Sequence, residues 1–365
     1  MHAGPDRRTR RPRLPPAGDT GARLPGRQIQ PSRRQEGRPG RDRFGVRGLL
    51  KPGPRRRLPD GGSRVTDQAV LQFGLAVLRA ATPLAFCALG VLLAERAGVL
   101  NIAVEGMMLC GSLAAVLTAV LTQNAWLGVV AAVVVGAVTG LVLGALVVLL
   151  PADQVVSGIA FNITAQGLTS FIYKITVIRG VQLIGPATLI SLAGPAARGN
   201  FLASISPLTY VALVLTCLAW VFLFRTGPGL LWRSLGESAR ASHASGMNVR
   251  RARMAVLVLS GVLCALGGAS LTLAWVRSFT DNITMGRGFI ALAAVYFGRW
   301  NPLLAVLSCL LFGAGEALAF RAQALGSGIN PFYYLMLPYV LTLLAVGLMG
   351  RAVGPKEAGK PYLGG

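Results

Sequence analysis

After residue 67 the chain alternates between long apolar runs and short polar intervals, and the runs set the architecture. They cover 68–94, 99–121, 125–150, 154–175, 207–224, 254–276, 289–297, 302–320 and 332–349. All but 289–297 approach the roughly 20 apolar residues that cross a bilayer as a helix. An isolated strand in lipid would leave its backbone groups unpaired, so every run is predicted helical. The expected fold is all-α: a polytopic helical membrane protein with about 8–10 transmembrane or re-entrant helices. Several runs carry small residues at helical spacing, such as Gly136, Gly140 and Gly144, a pattern that lets helix backbones approach closely and signals packing rather than chemistry.

The polar intervals carry the topology. The interval 227–253 is rich in Arg, Ala and Ser and cannot lie in hydrocarbon. Arg225, Arg233, Arg240, Arg250, Arg251 and Arg253 flank and fill it, which places it on the cytoplasmic side. Its middle, 235–245, holds good helix formers between Gly236 and Gly246 and is predicted as one short surface helix. A plain positive-inside loop explains the same charges. The interval 176–206, long and poor in charge, is expected on the outer face. With the N-terminal side and 227–253 both cytoplasmic, the number of crossings between them must be even, yet five runs lie there. The run 99–121 is expected to fail, broken or re-entrant near Glu105 and Gly106, a costly carboxyl group beside a helix-weakening glycine. Backbone of that kind persists at membrane depth only where protein covers it or it borders a water-filled route.

Composition then changes the picture at one end. The chain is 53% hydrophobic and 13% charged over 365 residues, with a formal charge of +23. Residues 1–64 hold 18 of the 36 basic and 5 of the 13 acidic side chains, so this segment contributes +13 and the rest +10. Its Arg, Pro and Gly content is expected to leave it disordered, with neither the apolar core of a signal peptide nor an amphipathic transit helix. It is read as a dispensable extension, the alternatives being an Arg-rich arm for nucleic acid or anionic lipid and a start of translation near Val65, where composition shifts. The domain plan is therefore a tail over 1–64, a transmembrane domain over 65–352 containing the loop 226–253, and a short cytoplasmic tail over 353–365, in a multi-pass protein of the cell (plasma or inner) membrane.

Candidate chemistry is sparse. No phosphate-binding G-x-x-x-x-G-K-[ST] motif occurs, and His2 and His243 have no second metal ligand at useful spacing, so neither a catalytic residue nor a metal site is predicted. Cys87, Cys110, Cys217, Cys264 and Cys309 all lie in apolar runs and are read as packing residues. Intramembrane carboxylates mark a pathway or a buried pair. Glu105 either lines a route or pins a broken helix, and Glu316 is expected to pair with Arg321. Asn101 shares the neighbourhood of Glu105. Asn162 and Gln166, one turn apart, either meet a substrate's hydroxyls or join helices. The tentative substrate pathway is Asn101, Glu105, Asn162 and Gln166.

Three stretches carry a resemblance to a known family. Residues 95–108, ERAGVLNIAVEGMM, 153–162, DQVVSGIAFN, and 286–302, GRGFIALAAVYFGRWNP, are similar to signatures of the membrane permeases of ABC importers for simple sugars and nucleosides, the ribose-type branch of binding-protein-dependent systems. The likeness runs from about Gln68 to the C-terminus. It implies a transport subunit that couples to a separate ABC ATPase subunit, pairs with a second permease as homo- or heterodimer, and receives substrate from an extracytoplasmic lipoprotein. This chain would then hold no cofactor, ATP and Mg being bound by the ATPase, and would bind no nucleic acid. For 227–253 the resemblance implies a coupling helix that docks on the ATPase, with Gly236, Glu237, Ala241, Ser245 and Gly246 as its candidate residues. Ser238, Ala239 and Ser242 depart from the family's pattern there. An ion-coupled secondary transporter would account for Glu105 but not for the loop, and a membrane enzyme lacks a nucleophile constellation.

Overall fold

In the computed structural model the described residues are 61–184, 204–324 and 354–360, with isolated positions between 333 and 347. The expectations for 1–60 and most of 332–349 therefore fall outside the described residues, as does the middle of the 176–206 interval. The described chain is helical: α1 (Gly61–Arg96), α2 (Val104–Thr122), α3 (Ala125–Gly144), α4 (Gln154–Ile178), α5 (Pro207–Arg225), α6 (Gly227–Glu237), α7 (Ala239–Ala244), α8 (Val249–Ala269), α9 (Arg287–Phe297) and α10 (Pro302–Ala324). α3 and α8 each finish in a π-helical turn, Ala145–Leu149 and Ser270–Trp275. Seven of these helices are long and apolar enough to cross a membrane, and α9 is apolar but short. Among the described residues the β-structure is one isolated bridge, Ile184 to Ser278.

The core is a slab of α1, α2, α3 and α8 closed by α10. Its closest seam runs along glycines. A Cβ on Gly136 would lie 2.6 Å from the Gly261 carbonyl oxygen, one on Gly140 2.4 Å from that of Leu257, and one on Gly261 2.2 Å from that of Gly136. Only hydrogen fits there, so α3 and α8 touch backbone to backbone, as the small-residue spacing predicts. Gly111 and Gly268 perform the same service between α2 and α8. Cys87, Cys264 and Cys309 are buried in this slab, Cys110 is half-buried, and Cys217 departs from the packing role by standing exposed on α5.

The crossing count resolves differently from the sequence-based expectation. Midway along α1, the Arg79 guanidinium donates to the Ser204 carbonyl and Thr82 shares a 2.8 Å hydroxyl bond with Thr209 at the start of α5. At its C-terminal end, the Trp232 indole of α6 donates to the Leu93 carbonyl at 2.9 Å, and Gly236 abuts the Arg96 carbonyl. α1 and α5 thus run in the same direction, which calls for an odd number of spans from one to the other, and five is the correct parity. Most of the run 99–121, as α2, is long and apolar enough to cross. Its entry beside Arg96 lies at the α6 face, whereas its exit meets the start of α3, where Gly128 packs on Ala119 and Leu273. Nor is the helix broken at Gly106: the irregular backbone is 97–103, and α2 runs unbroken from Val104.

Candidate functional site: a junction of helix ends inside the membrane slab

Two helices begin inside the slab instead of at its surface, and Glu105 serves both beginnings. It sits in the first turn of α2, where a negative charge is favoured by the unpaired N–H groups of that end. Its carboxylate also reaches the start of α9, accepting hydrogen bonds from the Gly286 N–H at 2.8 Å and the Gly288 N–H at 2.7 Å. These two bonds explain how a nearly buried carboxylate is held by backbone N–H groups at a helix start. The GRG sequence supplies the geometry. Gly286 takes φ +80 as the residue preceding α9, and a Cβ on Gly288 would meet Glu105 at 2.7 Å. Of the two sequence readings of Glu105, the pinning one describes these contacts.

The irregular stretch before α2 is held by α4. Gln154, Gly158 and Asn162 lie four residues apart and so share a helix face. The Gln154 Oε1 accepts from the Leu100 N–H at 2.7 Å, Gly158 abuts Ile102 and Ala103, and Asn162 spans the gap. Its Oδ1 accepts from the Gly106 N–H at 2.8 Å and its Nδ2 donates to the Ile102 carbonyl at 2.9 Å. Asn101 is fully buried and donates to the Ser260 hydroxyl of α8 at 2.8 Å, so it ties the stretch inward and presents no surface to a route. Gln166, one turn beyond Asn162, is exposed. Of the four candidate pathway residues, then, Glu105 and Asn162 fasten backbone, Asn101 bonds the Ser260 side chain, and Gln166 is exposed. Sequence reasoning did not single out Gln154, although its place in DQVVSGIAFN at the head of α4 was the available signal.

α9 is latched at its far end too. The Trp300 indole donates to Glu95 Oε2, the Tyr296 hydroxyl donates to Glu95 Oε1 at 3.4 Å, and the Arg96 Nε donates to the Trp300 carbonyl at 2.9 Å. Near its start, Arg287 donates through Nε to Glu316 Oε1 at 3.0 Å and through Nη1 to the Ile283 carbonyl at 2.9 Å, with its guanidinium 5.2 Å from the Trp275 ring centre. Glu316 therefore pairs with Arg287 of α9, in place of the expected Arg321. Toward the outer side, the exposed Asp281 accepts a hydrogen bond from the Ser170 hydroxyl of α4.

The basic loop folds as two helices instead of the one expected over 235–245. Ser238 interrupts it with extended backbone, and its hydroxyl caps α7 by accepting from the Ala241 N–H at 3.3 Å. Gly236 does not bound the helix; it lies inside α6, where a Cβ would meet the Arg96 carbonyl oxygen at 2.3 Å. Gly246, at φ +89, does follow the helical segment. Leu235 and Ala239 bury against Ala94, Ala97, Val249 and Val256, with Trp232 and Met247 beside them. The opposite side leaves Glu237, Ala241, Ser245 and Gly246 exposed. This part of the loop is thus seated on the end of α1, with a free face turned away.

With that geometry in place, comparison with known proteins is informative. Residues 74–346 match the family described as branched-chain amino acid transport system / permease component. The guanosine ABC transporter permease protein NupQ of Bacillus subtilis is 35% identical over 305 residues, covering 80% of this chain and 96% of its own. The nucleoside ABC transporter permease protein NupC of Lactococcus lactis is 35% identical over 296 residues, covering 77% and 93%. The putative glucose ABC transporter permease protein TsgC13 of Haloferax volcanii is 33% identical over 260 residues, covering 70% and 79%. No solved structure matches. The match spans α1 to α10 and takes in Glu105, Asn162, the basic loop and the GRG start of α9, so the chain belongs to this family of permease components, the membrane-embedded transport subunits of ABC importers.

Proposed function

We propose that this permease carries a nucleoside, that its route runs along the open face of α4, and that α6 and α7 dock on the ATPase. The observation that carries the reading is the mismatch between polarity and cover in α4. It is the least apolar of the seven candidate spans and also the least covered by the rest of the chain. Part of that polarity faces inward through Gln154 and Asn162, and the open face carries large apolar side chains such as Ile159, Ile163 and Phe171, so the reading rests on the polar groups set among them. Thr164 and Gln166 are exposed on it, with Ser170 and Asp281 beyond them toward the outer side. A Gln amide both donates and accepts, which suits ribose hydroxyls and the edge of a base. The permeases named for guanosine and nucleosides cover nearly their whole length in the comparison, which favours a nucleoside over glucose. Asn101, Glu105 and Asn162 act in this reading as the frame behind the route, not its lining. A second permease subunit faces α4 across the route, and a binding protein delivers substrate on the side opposite the basic loop.

Cysteine protection tests the route. Gln166→Cys, with the exposed Cys217 replaced by serine, should react with a membrane-impermeant thiol reagent, and guanosine delivered by the binding protein should slow that reaction. Labelling by lipid-soluble reagents alone would show that the face meets the bilayer. Docking is tested separately with Ala241→Glu. A charge placed on the exposed side of α7 should abolish co-purification of the ATPase while leaving membrane abundance unchanged.

A further inference from the structure

The end of the chain, predicted as no more than a short cytoplasmic tail, is woven into the underside of the junction. Residues 354–360 form a turn, with the Ala358 N–H donating to the Pro355 carbonyl at 3.2 Å and the Lys360 N–H to the Glu357 carbonyl at 3.1 Å. That turn touches five separate parts of the fold. The Glu357 N–H donates to the Gly236 carbonyl of α6 at 2.9 Å. The Glu357 carboxylate lies 3.9 Å from the guanidinium of Arg253 in α8, whose side chain is almost fully buried. The Lys360 carbonyl accepts from Gln154 of α4 at 3.1 Å and from Arg253 at 3.3 Å. Gly354 packs on the Trp300 ring beyond α9, and the Glu357 Cβ lies against Gly98 in the irregular stretch before α2.

We infer that 354–360 is a positioning strap that couples the docking helices to the transport route. Gln154 is the decisive contact. One amide holds the Leu100 N–H with its oxygen and the Lys360 carbonyl with its nitrogen, so a single side chain at the head of α4 joins the strap to the stretch that leads to Glu105. Without the strap, α6 still rests on the end of α1 through Trp232 and Leu235, so docking survives. What is lost is the tie from α6 to the head of α4, since α6 keeps its apolar contact with the start of α8 through Leu235 and Val249. The strap therefore acts on transmission, not on attachment.

This inference rests on the reading of α6 and α7 as the ATPase-docking surface, and the experiment separates the two. The full complex, with its ATPase, second permease and binding protein, is reconstituted in proteoliposomes with three forms of this chain: deletion of 354–365, Glu357→Pro, which removes the N–H donated to Gly236 together with the carboxylate beside Arg253, and Ala241→Glu. The deletion and Glu357→Pro should keep ATPase co-purification and unstimulated hydrolysis, while substrate-stimulated hydrolysis and transport fall by about 5-fold or more, the scale of a typical coupling energy. Transport at the wild-type rate in Glu357→Pro would overturn the strap, as would a loss of co-purification matching the loss of transport. Should the deletion fail to reach the membrane, Glu357→Pro decides. If Ala241→Glu retains full co-purification, the docking reading fails on its own, independently of what the strap variants show.

Discussion

Replacing Glu105 by alanine is the sharpest test of the junction. The substitution removes the acceptor for the Gly286 and Gly288 N–H groups and the charge in the first turn of α2. A hydrogen bond to a charged group contributes about 1.5–3 kcal/mol, so losing both should cost about 3–6 kcal/mol. Glutamine keeps one oxygen but turns an NH2 toward the second N–H, so Glu105→Gln should cost about half as much, ~1.5–3 kcal/mol. Thermal unfolding of the detergent-solubilised protein, followed by the reaction of its buried thiols with a fluorogenic dye, reads this directly. At about 2 °C per kcal/mol for a protein of this size, Glu105→Ala should lower the midpoint by at least ~6 °C, with Glu105→Gln in between. Glu237→Ala, an exposed carboxylate on the docking side, is the control and should not move it. A Glu105→Ala protein that unfolds within about 2 °C of the wild type and transports at full rate would refute the claim that this carboxylate holds two helix starts together.

Glu316→Ala leaves the Arg287 guanidinium buried without its carboxylate and should destabilise by about 3–5 kcal/mol in the same unfolding assay, a larger effect than a pair near a helix end would give. Glu316→Gln, which still accepts from Arg287, should recover part of that loss. Gly268→Ala places a methyl group 2.0 Å from the Met108 carbonyl oxygen, where backbone cannot retreat, and should cost about 1–3 kcal/mol or more. Gly167→Ala on the open face of α4 meets nothing within 4 Å and should leave the unfolding midpoint at or above that of the wild type.

Much of the architecture was legible because lipid simplifies the rules. Apolar length identified the spans, and the spacing of Gly136 and Gly140 announced a close seam, since only small residues allow backbones to meet. Glu105 stood out because a carboxylate is expensive in that setting. Its partners did not, because they are backbone N–H groups about 180 residues away, exposed only because α9 begins inside the slab. Glu316 was assigned to Arg321 by proximity along one helix, whereas the fold supplies Arg287 from another. The crossing count failed on a premise about the N-terminal side. Charge in a segment says where a loop prefers to be, but the contacts of Arg79, Thr82 and Trp232 fix which way α1 runs. The tie between 354–360 and Gly236 has no sequence signature, being made largely by main-chain groups.

The glycine seam between α3 and α8 also bears on how an importer of this kind can move. Two helices in backbone contact have no side-chain rotamers to rearrange between them, and sliding one past the other would drive carbonyl oxygens into Cα atoms. α3 and α8 must then travel as one rigid plate, with α2 carried along through Gly111 and Gly268. Any cycle that opens the protein first to one side and then to the other has to find its hinges in the sparsely covered helices α4 and α5, leaving the plate as the fixed wall against which they swing.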